Sequence, residues 1–177
     1  IIIENAGAQV GYLIWKNDDR LFIEASGLVD SEQVTVLQSI PIDSSQSVSS
    51  TIVNYVARTQ ESVILNHASR QGNFTKDPYI IQNKPKSILC FPLINQGQLS
   101  GIVYLENNLT TGAFTSDRLE VLKILSSQAA ISIENARLYQ TLEDKVEERT
   151  AQLAEANQEI STLNELLKQD NLRMSAE

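Results

Sequence analysis

The chain has 177 residues, 42% hydrophobic and 20% charged, with a formal net charge of −8. This is the composition of a soluble globular protein, with room for one domain of ordinary size and a core of its own. The acidic balance argues against nucleic acid or an anionic membrane surface as a partner. No apolar run approaches the roughly 18 residues of a membrane helix, and a single Cys excludes an internal disulfide and fits a reducing, cytoplasmic compartment.

In chain order, residues 1–6 read as the last turns of a helix, with Gly7 as the stop. Residues 12–15 and 21–25 are strand-like runs joined by Asn17-Asp18-Asp19, which predicts a hairpin. Residues 27–30 turn the chain, and 34–40 predict a third strand before Pro41. The Ser-rich run 44–50 is too short for a linker and suits a helix cap. Val48, Ile52, Tyr55 and Val56 then share one helical face, and 63–65 is a short buried strand. Residues 66–86 hold Gly72, Pro78 and Pro85 with little periodicity beyond a turn of helix at 79–82, as expected of a lid or binding loop. Residues 87–94 and 99–106, around Asn95-Gln96-Gly97-Gln98, form the strongest strand pair, and their near-continuous apolar character implies a sheet covered on both faces. This order describes an α+β sandwich.

From Ser116 onward there is neither Pro nor Gly, and good helix formers dominate. Thr115 is a suitable N-cap, Asp117 sits in the first turn, and Phe114 and Leu119 have the spacing of a hydrophobic staple. Leu142, Val146, Arg149, Leu153, Ala156, Ile160, Leu163, Leu167, Asp170 and Met174 recur at steps of four and three, a heptad seam. A helix to Arg173 would run roughly 85–90 Å, beyond any domain this chain builds, so its seam needs a partner helix. Arg149 and Asp170 interrupt the seam; either they reach solvent, or they fix register at a cost in stability. From Thr141 onward four basic residues stand against nine acidic ones, a solvated helix face. The chain opens on Ile1 without Met and ends inside the helical pattern at Glu177, and a piece of a longer protein is expected.

The run Ser87-Ile88-Leu89-Cys90-Phe91-Pro92-Leu93-Ile94, then Gly97, then Gly101-Ile102-Val103-Tyr104-Leu105-Glu106-Asn107, then Phe114-Thr115 and Asp117, resembles a GAF domain. The block 121–139, with Ala129-Ala130-Ile131-Ser132-Ile133-Glu134-Asn135-Ala136-Arg137-Leu138, is similar to the closing helix of that domain. The resemblance covers residues 1–140 and is nearest to GAF domains of bacterial, especially cyanobacterial, signalling proteins. Residues 142–150, Leu-Glu-Asp-Lys-Val-Glu-Glu-Arg-Thr, resemble the signalling-helix linker that joins sensor domains to histidine kinase, nucleotide cyclase or phosphatase outputs. The tail 171–177 is most similar to the entry of a phosphatase-type output. The family implies a six-stranded antiparallel sheet between helices, a small-molecule pocket under the long loop, and dimer contacts through the terminal helices. The resulting division is a GAF sensor domain at 1–140 and a coiled-coil linker at 141–177.

No cofactor is identified. Cyclic-nucleotide-binding GAF domains carry an Asn-Lys…Phe…Asp-Glu motif, where this chain has Asn107, Asn108, Phe114, Asp117 and Arg118, so the implied Lys–Asp ion pair cannot form. Covalent bilin binding needs a Cys in the lid region, whereas Cys90 falls in a core strand, as a small hydrophobe would. With one His and one Cys, no ordinary zinc site is available except from carboxylates, and no phosphate-cradling glycine loop occurs. A Cys–His catalytic pair would require His67 beside Cys90 with a third orienting group. No catalytic residue is assigned, and the fragment reads as regulatory. Ligand-pocket candidates are Trp15, His67, Phe74, Tyr79, Cys90, Tyr104 and Glu106, each with a plainer alternative: core or lid packing for the aromatics, local hydrogen bonding for His67, a solvated strand end for Glu106.

The expected whole is a sensory module that forms a homodimer through a parallel coiled coil and passes a ligand- or partner-induced change to an output domain in the same chain. The alternatives are a purely structural dimerisation module with a collapsed pocket, and a cyclic-nucleotide-binding domain.

Overall fold

The computed structural model describes residues 2–29 and 34–174. The turn expected at 27–30 and the tail match at 171–177 therefore lie partly outside the described residues. The elements are α1 (Ile2–Ala6), β1 (Val10–Asn17), β2 (Arg20–Leu28), β3 (Val34–Pro41), α2 (Ser50–Thr59), β4 (Val63–Leu65), α3 (Pro78–Asn83), β5 (Ser87–Asn95), β6 (Gln98–Asn107) and α4 (Ser116–Met174). By compactness they divide into residues 1–132 and residues 133–177.

Within the first unit the strands form one antiparallel six-stranded sheet in the order β3-β2-β1-β6-β5-β4. The expected hairpins β1–β2 and β5–β6 are both present, and β1 and β6, far apart in sequence, lie side by side at the centre. Because side chains alternate across a strand, each strand serves two layers. One face carries Ile14, Ile23, Ile88, Cys90, Ile102 and Tyr104, packed in a core with Ile52, Val53 and Val56 of α2 and Ile80 of α3. The other bears Trp15, Leu89, Phe91, Val103 and Leu105, also buried; α1 lies against it, with Ile3 close over Gly11 and Gly27. The apolar runs of β5 and β6 are thus accounted for by burial on both sides.

The helix ends follow from local chemistry. Ser49 caps α2 by accepting a hydrogen bond from the Ile52 N–H at 3.2 Å, which gives the Ser-rich run its role. Thr115 does the same for α4, accepting from Arg118 N–H at 3.4 Å. The long loop is more ordered than its composition suggests. Asp77 accepts from Ile80 N–H at 3.1 Å and Pro78 takes the first helical position, so α3 starts one residue before the expected turn and runs six residues. The second unit is helix throughout its described part, and no helix among the described residues is long and apolar enough to cross a membrane.

Gly101 sits where β6 passes β1, and a Cβ there would come within 2.6 Å of the Ile14 carbonyl oxygen and 3.1 Å of the Trp15 ring. Backbone cannot move aside as a side-chain tip can. Gly101→Ala should therefore lower unfolding stability by roughly 1–3 kcal/mol in denaturant titration; an unchanged midpoint would contradict this packing.

Candidate functional site

The C-terminal half of β6 puts Tyr104 and Glu106 on the same face of the sheet, two residues apart. Both are buried; Glu106 is 2% exposed. The Tyr104 hydroxyl donates to Glu106 Oε1 at 2.7 Å and accepts from the Ser49 backbone N–H at 3.4 Å, which ties the start of α2 to the end of the central strand. Tyr79, in the first turn of α3, and the Asn108 side chain also hydrogen-bond Glu106. Tyr12 on β1 lies directly opposite Tyr104 in the ladder, with ring centroids 6.3 Å apart. Phenols from β6 and α3 thus meet on one carboxyl group, while Tyr12 of β1 and the start of α2 join through Tyr104.

The electrostatics are set by burial. Removal from water pushes the Glu106 carboxyl above its ordinary value, against hydrogen bonds from Tyr104, Tyr79 and Asn108 that favour the charged form. The Tyr79 and Tyr104 hydroxyls are pushed well up by burial and then by the nearby Glu106, so both remain protonated donors. Tyr12 is raised for the same reasons, opposed by a hydrogen bond with Ser47. The raised Glu106 carboxyl favours retention of its proton, and the cluster presents directional hydrogen bonds around it. It contains no activated nucleophile: burial raises the Cys90 thiol far above the neutral range, and it lies in the core strand opposite Tyr104.

Of the seven residues chosen from sequence, Tyr79, Tyr104 and Glu106 meet in this cluster, and Cys90 adjoins it in the same core. Phe74 packs beside that core with its ring edge-on to Tyr55 at 5.6 Å. Trp15 is on the opposite face of the sheet, beside Gly101. His67 stands in the turn after β4, with Nδ1 buried and unpartnered among the described residues. Tyr12 was not anticipated, because its pairing with Tyr104 depends on β1 lying beside β6. Asn107, read from sequence as part of the family-like run and of a nucleotide motif, ties the fold together. Its Nδ2 donates to Gly7 O at 2.7 Å, and its Oδ1 accepts from Leu109 and Thr110 N–H at 2.9 and 2.8 Å. An Asn opening a loop that closes on Gly112 was the legible signal for that turn. Arg118, which stands in the acidic position of the nucleotide motif, directs its guanidinium to the Ala6 and Ala113 carbonyls. Among the described residues no group of three or more His, Cys, Asp or Glu side chains is placed to hold a metal ion.

A carboxyl group raised by folding binds its proton more tightly in the native state. Its contribution to stability is therefore present at low pH and is lost as pH rises from the unfolded value through the raised native one. Glu106→Gln, which keeps an acceptor without the charge, should flatten that part of the stability–pH profile; an unchanged slope would contradict the assignment. Tyr104→Phe leaves Ser49 N–H and Glu106 without their shared partner and should cost about 1–3 kcal/mol at neutral pH, read from thermal or denaturant midpoints.

The fold and this cluster can be set beside known proteins. The GAF domain family model matches residues 1–134. A hybrid signal transduction histidine kinase from Dictyostelium discoideum is 47% identical over 88 residues, covering 50% of this chain and 3% of that protein. A peroxide stress-activated histidine kinase of Schizosaccharomyces pombe is 26% identical over 145 residues, covering 81% of this chain and 6% of that protein. The chain thus spans only a few per cent of the length of these curated relatives. Among solved structures, the GAF domain of a two-component sensor histidine kinase from Bacillus halodurans is similar at a TM-score of 0.54 and 20% identity, covering 78% of this chain and 95% of that one. A red/green cyanobacteriochrome in its red light-absorbing state is similar at 0.56 and 14% identity, covering 78% and 90%. At these identities the structural likeness is one of fold. The family match, extending over most of the chain, establishes that this chain belongs to the GAF domain family.

Proposed function

We propose that the chain is a sensory module of a larger signalling protein, pairing with a second copy through a parallel coiled coil and passing a bias in the sensor domain to an output domain. The observation that carries this reading is the uncovered seam of α4. Leu142, Val146, Leu153, Ile160, Leu163 and Leu167 are all more than half exposed, in a unit whose described residues are a single helix. An isolated helix in water does not keep a row of large aliphatic side chains exposed when a second helix can bury it. Within residues 1–132, Val121, Ile124 and Ile131 of α4 are exposed as well and would be buried by the same association.

The family membership supports the sensory part, and the curated relatives, all histidine kinases, favour a histidine kinase output over the phosphatase-type entry that the tail resembles. In mechanism, occupancy of the sensor would shift the population between two arrangements of the paired helices, and the coil would carry that shift onward. Arg149, at a seam position, would keep the pairing from becoming too stable to switch. A second reading, a dimerisation module without a ligand, is favoured by one observation: the Tyr12–Tyr79–Tyr104–Glu106 cluster has its hydrogen bonds met within the protein, by its own side chains and by Ser47, Ser49 and Asn108.

Native mass spectrometry of the chain as purified from cells distinguishes these readings. A dimer with a discrete additional mass supports the sensor; a dimer with no adduct, even from cell extract supplemented with metabolites, supports the structural module; a monomer at every concentration contradicts both. For the seam itself, Ile160→Asp with Leu163→Asp should turn the dimer into a monomer in sedimentation while leaving the sheet's thermal transition in place. Arg149→Leu should tighten the dimer by about tenfold or more.

A further inference from the structure

A second site lies away from the tyrosine cluster, where the turn after β4, the end of α3 and the loop after β6 surround a cleft of about 650 Å³. Its walls carry His67, Arg70, Lys84, Lys86, Thr110 and Thr111, and none of its lining residues is acidic, in a chain of 22 acidic and 14 basic residues. Arg70 and Lys84 form no ion pair among the described residues. We propose that this cleft binds a small phosphoryl-bearing polyanion.

Three features argue for a built site rather than scattered surface charge. First, the walls are fastened together. Gly112 N–H donates to Asn66 O at 2.8 Å, Ala68 N–H to Lys86 O at 3.0 Å, and Ser87 Oγ to Thr110 O at 2.9 Å. The Lys86 ammonium donates to Leu109 O at 2.8 Å, so one cation is held in place while its remaining protons stay available. Second, Lys84 ends α3 in the left-handed conformation, with φ of 49°, where glycine or asparagine is the unstrained choice. A lysine held there costs about 1 kcal/mol of backbone strain relative to glycine, as does Gln60 in the same position at the end of α2, and it places its charge beside the cleft. Third, the donor set is mixed in the way that suits phosphoryl groups: a guanidinium fork, two ammonium groups and the Thr111 hydroxyl, with His67 also in the lining. Three cationic side chains around one cleft, one of them anchored, produce a local field opposite in sign to the protein's net charge.

The test is a titration of the 177-residue chain with inorganic pyrophosphate, followed by backbone amide NMR. We expect saturable shifts confined to residues 67–71, 84–86 and 109–112, and weakening with added salt. Lys84→Gly relieves the strained backbone while removing the charge; combined with Arg70→Gln it should raise the dissociation constant by about tenfold or more with the thermal midpoint unchanged or higher. Absence of saturable shifts, shifts spread over other lysines, or an unchanged dissociation constant in the double variant would each overturn the site. A parallel titration with citrate separates the two anion chemistries: preference for pyrophosphate supports the phosphoryl assignment, and equal or tighter citrate binding overturns it.

Discussion

Apolar side chains must be taken out of water, and the two units of this chain meet that requirement in different ways. In residues 1–132 it is met internally. Strand β6 is paired on both edges, with β1 and β5, and its last seven residues are buried, so the sheet works as a two-sided partition between layers. At roughly 25 cal/mol per Å² of apolar surface buried, a strand covered on both faces contributes more to the core than any edge strand can. That same strand delivers Tyr104 and Glu106 to one layer and Val103 and Leu105 to the other. The polar cluster is therefore a consequence of the partition: a carboxyl group at the end of a buried strand, made tolerable by donors from its own strand, the loop after it and α3.

In residues 133–174 the requirement is not met internally. The seam has the periodicity of a core but nothing in its own unit to pack against, which is what a helix built for a partner looks like. Acidic residues outnumber basic ones on this stretch, which suits solvated faces beside the aliphatic seam. In the proposed pairing, a polar seam residue such as Arg149 would trade stability for a defined register. In the proposed account, the sensor supplies the bias and the seam supplies an element able to respond to it.

The sequence disclosed long-period features well and local exceptions less well. The unbroken helix from Ser116, the paired runs around Gly97, and the caps in the Ser-rich run 44–50 and at Thr115 each rest on one physical rule, and each matches the observed elements. The resemblance to GAF domains carried the sheet class, because no periodicity argument places β1 beside β6. Tyr12 escaped notice for that reason: its role arises from a pairing of residues that are 92 positions apart, Tyr12 with Tyr104. The helix at Pro78 was undervalued because two prolines and a glycine obscured an Asp-Pro start that is itself a helix signal. Trp15 illustrates the opposite error of reasoning from residue type alone. An aromatic side chain suits a pocket or a core equally, and only strand parity places it on the far face. Glu106 was legible as an unusual residue at a strand end, but its burial and its tyrosine partners follow from packing that the sequence does not spell out.

In the proposed function the α4 seam pairs with that of a second copy running in the same direction. Distance measurement between spin labels tests it most directly, with Gln169→Cys as the single labelled position near the end of the helix and Cys90 left unlabelled in its buried strand. Parallel helices with axes about 8–10 Å apart bring the two labels within about 30 Å of each other, in one narrow distribution. Absence of any distance between copies, or a long separation from antiparallel helices, would contradict the claim.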